Sequence, residues 1–260
     1  MPFIDITVQT QYTQIMENRI IHHTILRPQY SSNMIHPLTK QNLDKWVNLN
    51  QDLKLSQKIW THDECIQFLE IFSKEYGKDI LHWFNFEPDG RYKSDIARLC
   101  LLYKFGGIYI DVDQEPLATI KDYLDIDNYD FCGCSNMGLH NVSNGFIYAK
   151  KGSLIIKNNI EEIIRRYETN GPRGGCHVMG VVITELINGE QFKMPLGEIK
   201  IGDEKCLFLH EIGDETLPDG TQAFYNSFGV YSDNDTVRVM NSRYSTYHND
   251  RNKTNEFIKI

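Results

Sequence analysis

The chain has 260 residues, 41% of them apolar, 12% aromatic and 24% charged, with a formal net charge of −8. That apolar share supports a sizeable core, in one large domain or two small ones. The acidic balance, with no basic stripe, argues against a nucleic-acid partner and against polyanionic partners in general. Residues 1–18 have neither a basic n-region nor an apolar core, so they are expected to be an extension and not a signal peptide. No window approaches the ~20 apolar residues that a membrane span needs. A soluble, cytoplasmic protein is the expectation, and the Asn-x-Ser/Thr sequons at Asn141, Asn234 and Asn252 then carry no meaning. The six cysteines, Cys65, Cys100, Cys132, Cys134, Cys176 and Cys206, lack zinc-pair spacing and read as free, mostly buried thiols of a reducing compartment. Usage rich in Ile, Asn, Lys and Tyr fits an AT-rich bacterial or viral genome.

In chain order, Arg19–Thr24 reads as a first strand, residues 27–34 as a loop and Thr39–Asn48 as a helix. A second strand is expected over Leu53–Ile59, ending at Trp60. Thr61 with Glu64 three residues on forms a capping signature for a helix carrying Ile66, Phe68, Leu69 and Phe72. A helix over Tyr92–Phe105 stops at Gly106, and Ile108–Val112 is the central strand. Short strands at Asp130–Cys134 and Gly145–Ala149, helices at Ser153–Tyr167 and Gly174–Ile187, and late strands at Cys206–Ile212 and Thr236–Met240 complete the series. No repeat, low-complexity tract or linker interrupts it, so residues 19–260 are read as one domain. Strands alternating with helices predict an α/β layered sheet.

The most informative segment is Ser94-Asp-Ile-Ala-Arg98 leading into Gly106-Gly-Ile-Tyr-Ile-Asp-Val-Asp113. Alternation places Ile108, Ile110 and Val112 on one face and Tyr109, Asp111 and Asp113 on the other. Two carboxylates ending an apolar strand are costly without a cation, and open α/β sheets bind ligands at such an edge. Hard oxygen donors suit Mg2+ or Mn2+ shared with a substrate phosphate. Asp95 and Arg98 share a face of an apolar helix, either as an internal ion pair or as a fork of donors and acceptors for a ligand. Trp46 and Trp60 are either core residues or stacking surfaces for a nucleotide base.

The segment resembles the DXD sugar-binding region of glycosyltransferase family 32, whose pattern is Asp-x-x-Arg, a hydrophobic helix, then Gly-Gly-x-Tyr-x-Asp-x-Asp. Asp95, Arg98, Gly106, Gly107, Tyr109, Asp111 and Asp113 supply every element of it. Arg19–Thr24 is similar to the family's opening strand, with His23 in place of Gln. Trp46–Asn50 with Lys58–Asp63, Ser143–Ala149 and Tyr167–Pro172 are similar to its other segments; Gln51 replaces a Pro and Asn170 is inserted. The likeness spans residues 18 to 185 and is faint beyond 190.

The resemblance implies a GT-A type fold, a Rossmann-like mixed sheet flanked by helices. It implies a retaining glycosyltransferase that moves a monosaccharide from a UDP- or GDP-sugar to a glycan or protein hydroxyl with Mn2+ or Mg2+. By carry-over, Asp113 is the direct metal ligand and Asp111 mainly a donor contact. Asp95, Arg98, Tyr109, Asn144, His22 and Trp60 are further donor-binding candidates. A late metal ligand is expected at His248 or Asp250, with His210 behind them, and the loop at 171–175 is expected to line the acceptor side. Two rivals remain at this point: a non-catalytic nucleotide-sugar binder, and a phosphatase of the haloacid dehalogenase type. The phosphatase pattern wants Thr or Val where Glu115 stands.

Overall fold

The structure, a computed structural model, describes residues 18–26, 34–35, 37–136, 141–171, 173–187, 194–213, 228–231, 238–242 and 258–259. Strand β1 (Ile20–Ile25) is followed by β2 (Met34–Ile35), helix α1 (Pro37–Leu49), β3 (Ser56–Thr61), and helices α2 (His62–Tyr76), α3 (Ile80–Phe86) and α4 (Gly90–Phe105). Then come β4 (Gly107–Ile110), β5 (Gln114–Pro116), β6 (Phe131–Asn136), β7 (Asn141–Ala149), α5 (Leu154–Glu168) and α6 (Gly175–Leu186). The late strands are β8 (Gly197–Ile201), β9 (Glu204–Gly213), β10 (Phe228–Tyr231), β11 (Arg238–Ser242) and β12 (Ile258–Lys259).

Among the described residues, ten strands join one sheet in the order β3-β1-β4-β7-β6-β9-β10-β11-β5, with β8 paired to β9. Strands β1, β3 and β4 are mutually parallel. Strand β7 runs against β4 and β6, and β9 runs parallel to β6. The carboxyl ends of β1, β3, β4, β6 and β9 and the amino end of β7 therefore share one edge. That edge is where ligands of open α/β sheets bind.

Apolar side chains fill both faces. Tyr109 packs with Leu99, Leu102 and Phe105 of α4 and with α5 and α6 residues on one side. Ile108 and Ile110 pack with Trp46, Phe146 and Tyr148 on the other. The alternation expected for the central strand thus holds, but the strand is shorter than expected and buried on both faces. It stops at Ile110 because the Asp111 amide bonds the Gly145 carbonyl at 2.7 Å and the chain then turns, Gln114 N–H meeting the Asp111 carbonyl at 3.0 Å. Asp111 and Asp113 accordingly sit in that turn and not in the strand.

Local chemistry sets the entry to the motif. The capping box at Thr61 and Glu64 starts α2 as expected. Asp89 caps α4, accepting from the Arg91 amide at 2.8 Å, so α4 begins two residues earlier than the hydrophobic pattern indicated. Gly106 and Gly107 hold φ of 67° and 96°. A Cβ on Gly107 would lie 2.4 Å from the Ile20 carbonyl oxygen, so glycine is required by conformation and by the approach of β1.

All six cysteines are free; Cys176 is half-buried and the others are buried. Among the described residues, no helix is long and apolar enough to cross a membrane.

Candidate functional site

The shared strand edge brings together Asp95 and Arg98 from α4, Asp111 and Asp113 from the turn after β4, and Asn144 from β7. Arg98 is the hub. Its Nη2 lies 3.3 Å from Asp95 Oδ1 and 3.3 Å from Asp111 Oδ1, and its Nη1 reaches Asp111 Oδ2 at 3.3 Å and the Asn144 carbonyl. Its guanidinium carbon sits 4.4 Å from the centre of the Tyr109 ring.

Asp95 is buried, and both its oxygens are held. Asn144 Nδ2 donates to Oδ1 at 2.5 Å and the Gly175 amide to Oδ2 at 3.1 Å. The Cys176 thiol donates to Asn144 Oδ1 at 3.0 Å, which turns the Asn144 amide nitrogen toward Asp95. Burial raises the Asp95 acid to about 6, aided by the nearby Asp111 carboxylate and opposed by Arg98. Desolvation opposes the Arg98 charge, but Asp111 and other acidic neighbours prevail and hold the guanidinium firmly protonated.

Tyr109 is fully buried. Its hydroxyl donates to Asp111 Oδ1 at 2.8 Å and meets the Thr24 and Ser94 hydroxyls at 2.8 and 2.9 Å. The Tyr109 hydroxyl thus fixes the carboxylate two residues on.

Two further expectations change. His22 and Trp60 are wholly buried and bonded to each other, Trp60 Nε1 donating to His22 Nδ1 at 3.1 Å while His22 Nε2 donates to the Gly106 carbonyl at 3.0 Å. Neither presents an atom to the edge, so both are core residues and not donor contacts. Trp46 is also core, its Nε1 donating to the Gln114 carbonyl at 2.9 Å. His23, absent from the site expectations, donates through Nδ1 to the Ile110 carbonyl at 2.8 Å and accepts at Nε2 from Gln57 at 3.1 Å. The two histidines therefore clamp β4 at both ends. Burial pulls each to about 4, so both are neutral at pH 7. Glu115, beyond the turn, pairs with Lys45 at 2.7 Å.

His248 and Asp250 lie outside the described residues. His210 is half-buried on β9, opposite Ser135 of β6 and Tyr231 of β10. Among the described residues, no three His, Cys, Asp or Glu side chains converge as a metal cluster. The turn nevertheless suits a divalent cation. Asp111 and Asp113 are hard oxygen donors, with 33% of the Asp111 side chain exposed. Gln114 Oε1 is buried beside them with no hydrogen-bond partner among the described residues. Gly145 leaves the space open: a Cβ there would lie 3.2 Å from Asp111 Oδ2 and 2.9 Å from Gln114 Nε2.

Of the residues singled out in the sequence, Asp95, Arg98, Asp111 and Asn144 are joined by direct contacts, and Asp113 lies in the same turn as Asp111. The sequence reading did not single out Ser94, Thr24, Gly175 and Cys176 as their partners. The adjacency of Ser94 to Asp95 and of Gly175 to the expected acceptor loop were the only pointers.

Residues 37–130 match the family described as glycosyltransferase sugar-binding region containing DXD motif. No curated protein matches the chain. Among solved structures, the chain is similar to "PaToxG Glycosyltransferase", with a TM-score of 0.51 and 16% identity over 69% of this chain and 73% of that one. A second, the structure of a transferase mutant with two cysteines replaced by serine, superposes with a TM-score of 0.38 and 12% identity over 67% of this chain and 87% of that one, too weak a likeness to weigh. The fold is of GT-A type, a Rossmann-like mixed sheet flanked by helices, and the stretch that matches the glycosyltransferase sugar-binding region, residues 37–130, includes Asp95, Arg98, Asp111 and Asp113.

Proposed function

We propose that this chain transfers a monosaccharide from a UDP- or GDP-sugar to an acceptor hydroxyl on a glycan or protein, with Mn2+ or Mg2+ bound at Asp111 and Asp113. The observation that carries the reading is Arg98 held between Asp95 and Asp111 at the carboxyl edge of the parallel strands. A divalent ion at Asp113 and Asp111 would act as a Lewis acid on the leaving diphosphate. Asp111 and Asp113 would hold such an ion, a number of protein carboxylates usual where the ion is shared with substrate phosphate.

The chain's own residues supply orientation. Asp95 and Arg98 offer an acceptor and a fork of donors to the sugar's hydroxyls, and Asn144 extends that row along β7. Because Asp95 is locked by Asn144 and Gly175 before any ligand arrives, the sugar meets a preorganised partner and less ordering entropy opposes attack. The family resemblance carries retention of anomeric configuration as the expected stereochemical outcome. Residues 19–260 would act as one unit in a reducing, cytoplasmic setting, consistent with the free thiols.

The test is nucleotide release from a panel of UDP- and GDP-sugars, with Mn2+ or with EDTA. One donor should be cleaved, and EDTA or Asp113→Ala should lower the rate about 100-fold or more. Full activity of Asp113→Ala in saturating Mn2+ would remove the metal from that residue.

A further inference from the structure

Glu211 lies on β9, the fifth strand whose carboxyl end reaches the site edge, and it is buried to 7% exposure. Its carboxylate does not stay over its own strand. Asn136, at the end of β6, donates to Oε2 at 3.3 Å, and the Ser143 hydroxyl of β7 bonds it as well. In the order β4-β7-β6-β9, the side chain therefore leans across β6 toward β7 and β4. Ser143 is the residue before Asn144, whose carbonyl and side chain hold Arg98 and Asp95. Glu211 also lies close enough to the Cys176 thiol, the donor to Asn144 Oδ1, to oppose its ionisation.

No lysine, arginine or histidine pairs with Glu211 among the described residues. A carboxyl removed from water and met only by neutral donors costs stability, and such a group beside a ligand edge is a candidate for function. Burial holds its acid above the usual carboxylate range, against the hydrogen bonds from Ser143 and Asn136.

We propose that Glu211 is an acceptor-side residue of this site, its carboxylate receiving the hydrogen bond of the incoming hydroxyl opposite the sugar held by Asp95 and Arg98. The proposal rests on the transferase reading. Water serves as the acceptor probe, through donor hydrolysis in Mn2+ with the UDP- or GDP-sugar that wild-type protein cleaves. Glu211→Gln and Glu211→Ala should lower kcat about 10-fold or more, with donor KM and the half-saturating Mn2+ concentration within about twofold of wild type. Unchanged donor KM also shows that the variants are folded. A wild-type rate in Glu211→Gln overturns the proposal. So does a kcat loss matched by a parallel rise in donor KM, which would mark a strut between β6, β7 and β9. Wild-type protein that cleaves no donor in the panel overturns the transferase reading itself, an outcome distinct from either.

Discussion

At the scale of single residues, the site is a set of close approaches more than a set of charges. Gly175 shows this. Its amide reaches Asp95 Oδ2 at 3.1 Å, and a Cβ in its place would lie 2.5 Å from Asp95 Cγ and 2.3 Å from Asn144 Nδ2. Gly175→Ala should lower the melting temperature, since the added Cβ crowds the buried Asp95 and Asn144 side chains by more than alanine's helix preference returns. It should also raise donor KM about 10-fold or more by pushing Asp95 off the sugar's hydroxyls. Donor titration beside a thermal melt separates the two effects; unchanged donor affinity would remove Asp95 from the donor site. Asp95, Arg98 and Asp111 were legible because residue type and spacing carry their chemistry. Gly175 and Cys176 were not, since contacts made across 80 and 32 residues leave no local pattern. His22 and Trp60 were misplaced for a related reason: adjacency to a ligand edge in sequence does not reveal which side of the strand a ring occupies.

At the scale of elements, β4 is held by contacts at each of its ends. Beyond His22↔Tyr109 the ladder between β1 and β4 lapses, and the His23 ring takes over the Ile110 carbonyl. Both histidines titrate at about 4, below the ordinary 6.5, so the unfolded chain binds more protons between those values. Their contribution is fully present above about 6.5 and is lost as pH falls toward 4, about 3 kcal/mol for each. Asp95 works in the opposite sense, favouring the fold at low pH and losing that contribution as pH rises from its ordinary 3.8 to about 6. The two histidines outweigh the one carboxyl. Unfolding free energy from urea titration should therefore drop between pH 6.5 and 4, and His23→Gln should flatten that slope. A slope unaltered in His23→Gln would mean the ring is not neutral and buried. The long helices were legible from period and caps. Helix α3 was not, because its seven residues fit between Asp79 and Glu87 with too few turns to show a period. Strands β5 and β10 span 3 and 4 residues, below the length at which alternation can be read.

At the scale of the whole molecule, the sheet folds back on the motif. Strand β11 pairs with β5, Met240 opposite Pro116 and Ser242 opposite Gln114, and β5 follows the Asp111–Asp113 turn directly. On its other side, Asn42 and Trp46 of α1 bond the Gln114 carbonyl at 2.6 and 2.9 Å. The α/β class and the ligand edge were legible from alternating strands and helices. This closure was not, since pairing between residues so distant depends on the packed sheet and not on either segment's composition. A chain cut after residue 213 should keep the β1, β3 and β4 core yet lose metal-dependent donor cleavage. Cleavage at the full rate by that fragment would show that the closure does not hold the turn.

The same closure sets an order in time. A ribosome delivers the Asp111–Asp113 turn long before it delivers Met240, and the loop between them must close against chain entropy before β5 gains its neighbour. The growing polypeptide can thus assemble its first parallel strands while the carboxylate turn is held on one flank only. Competence to grip a charged donor would arrive in a late step, once the last strand docks.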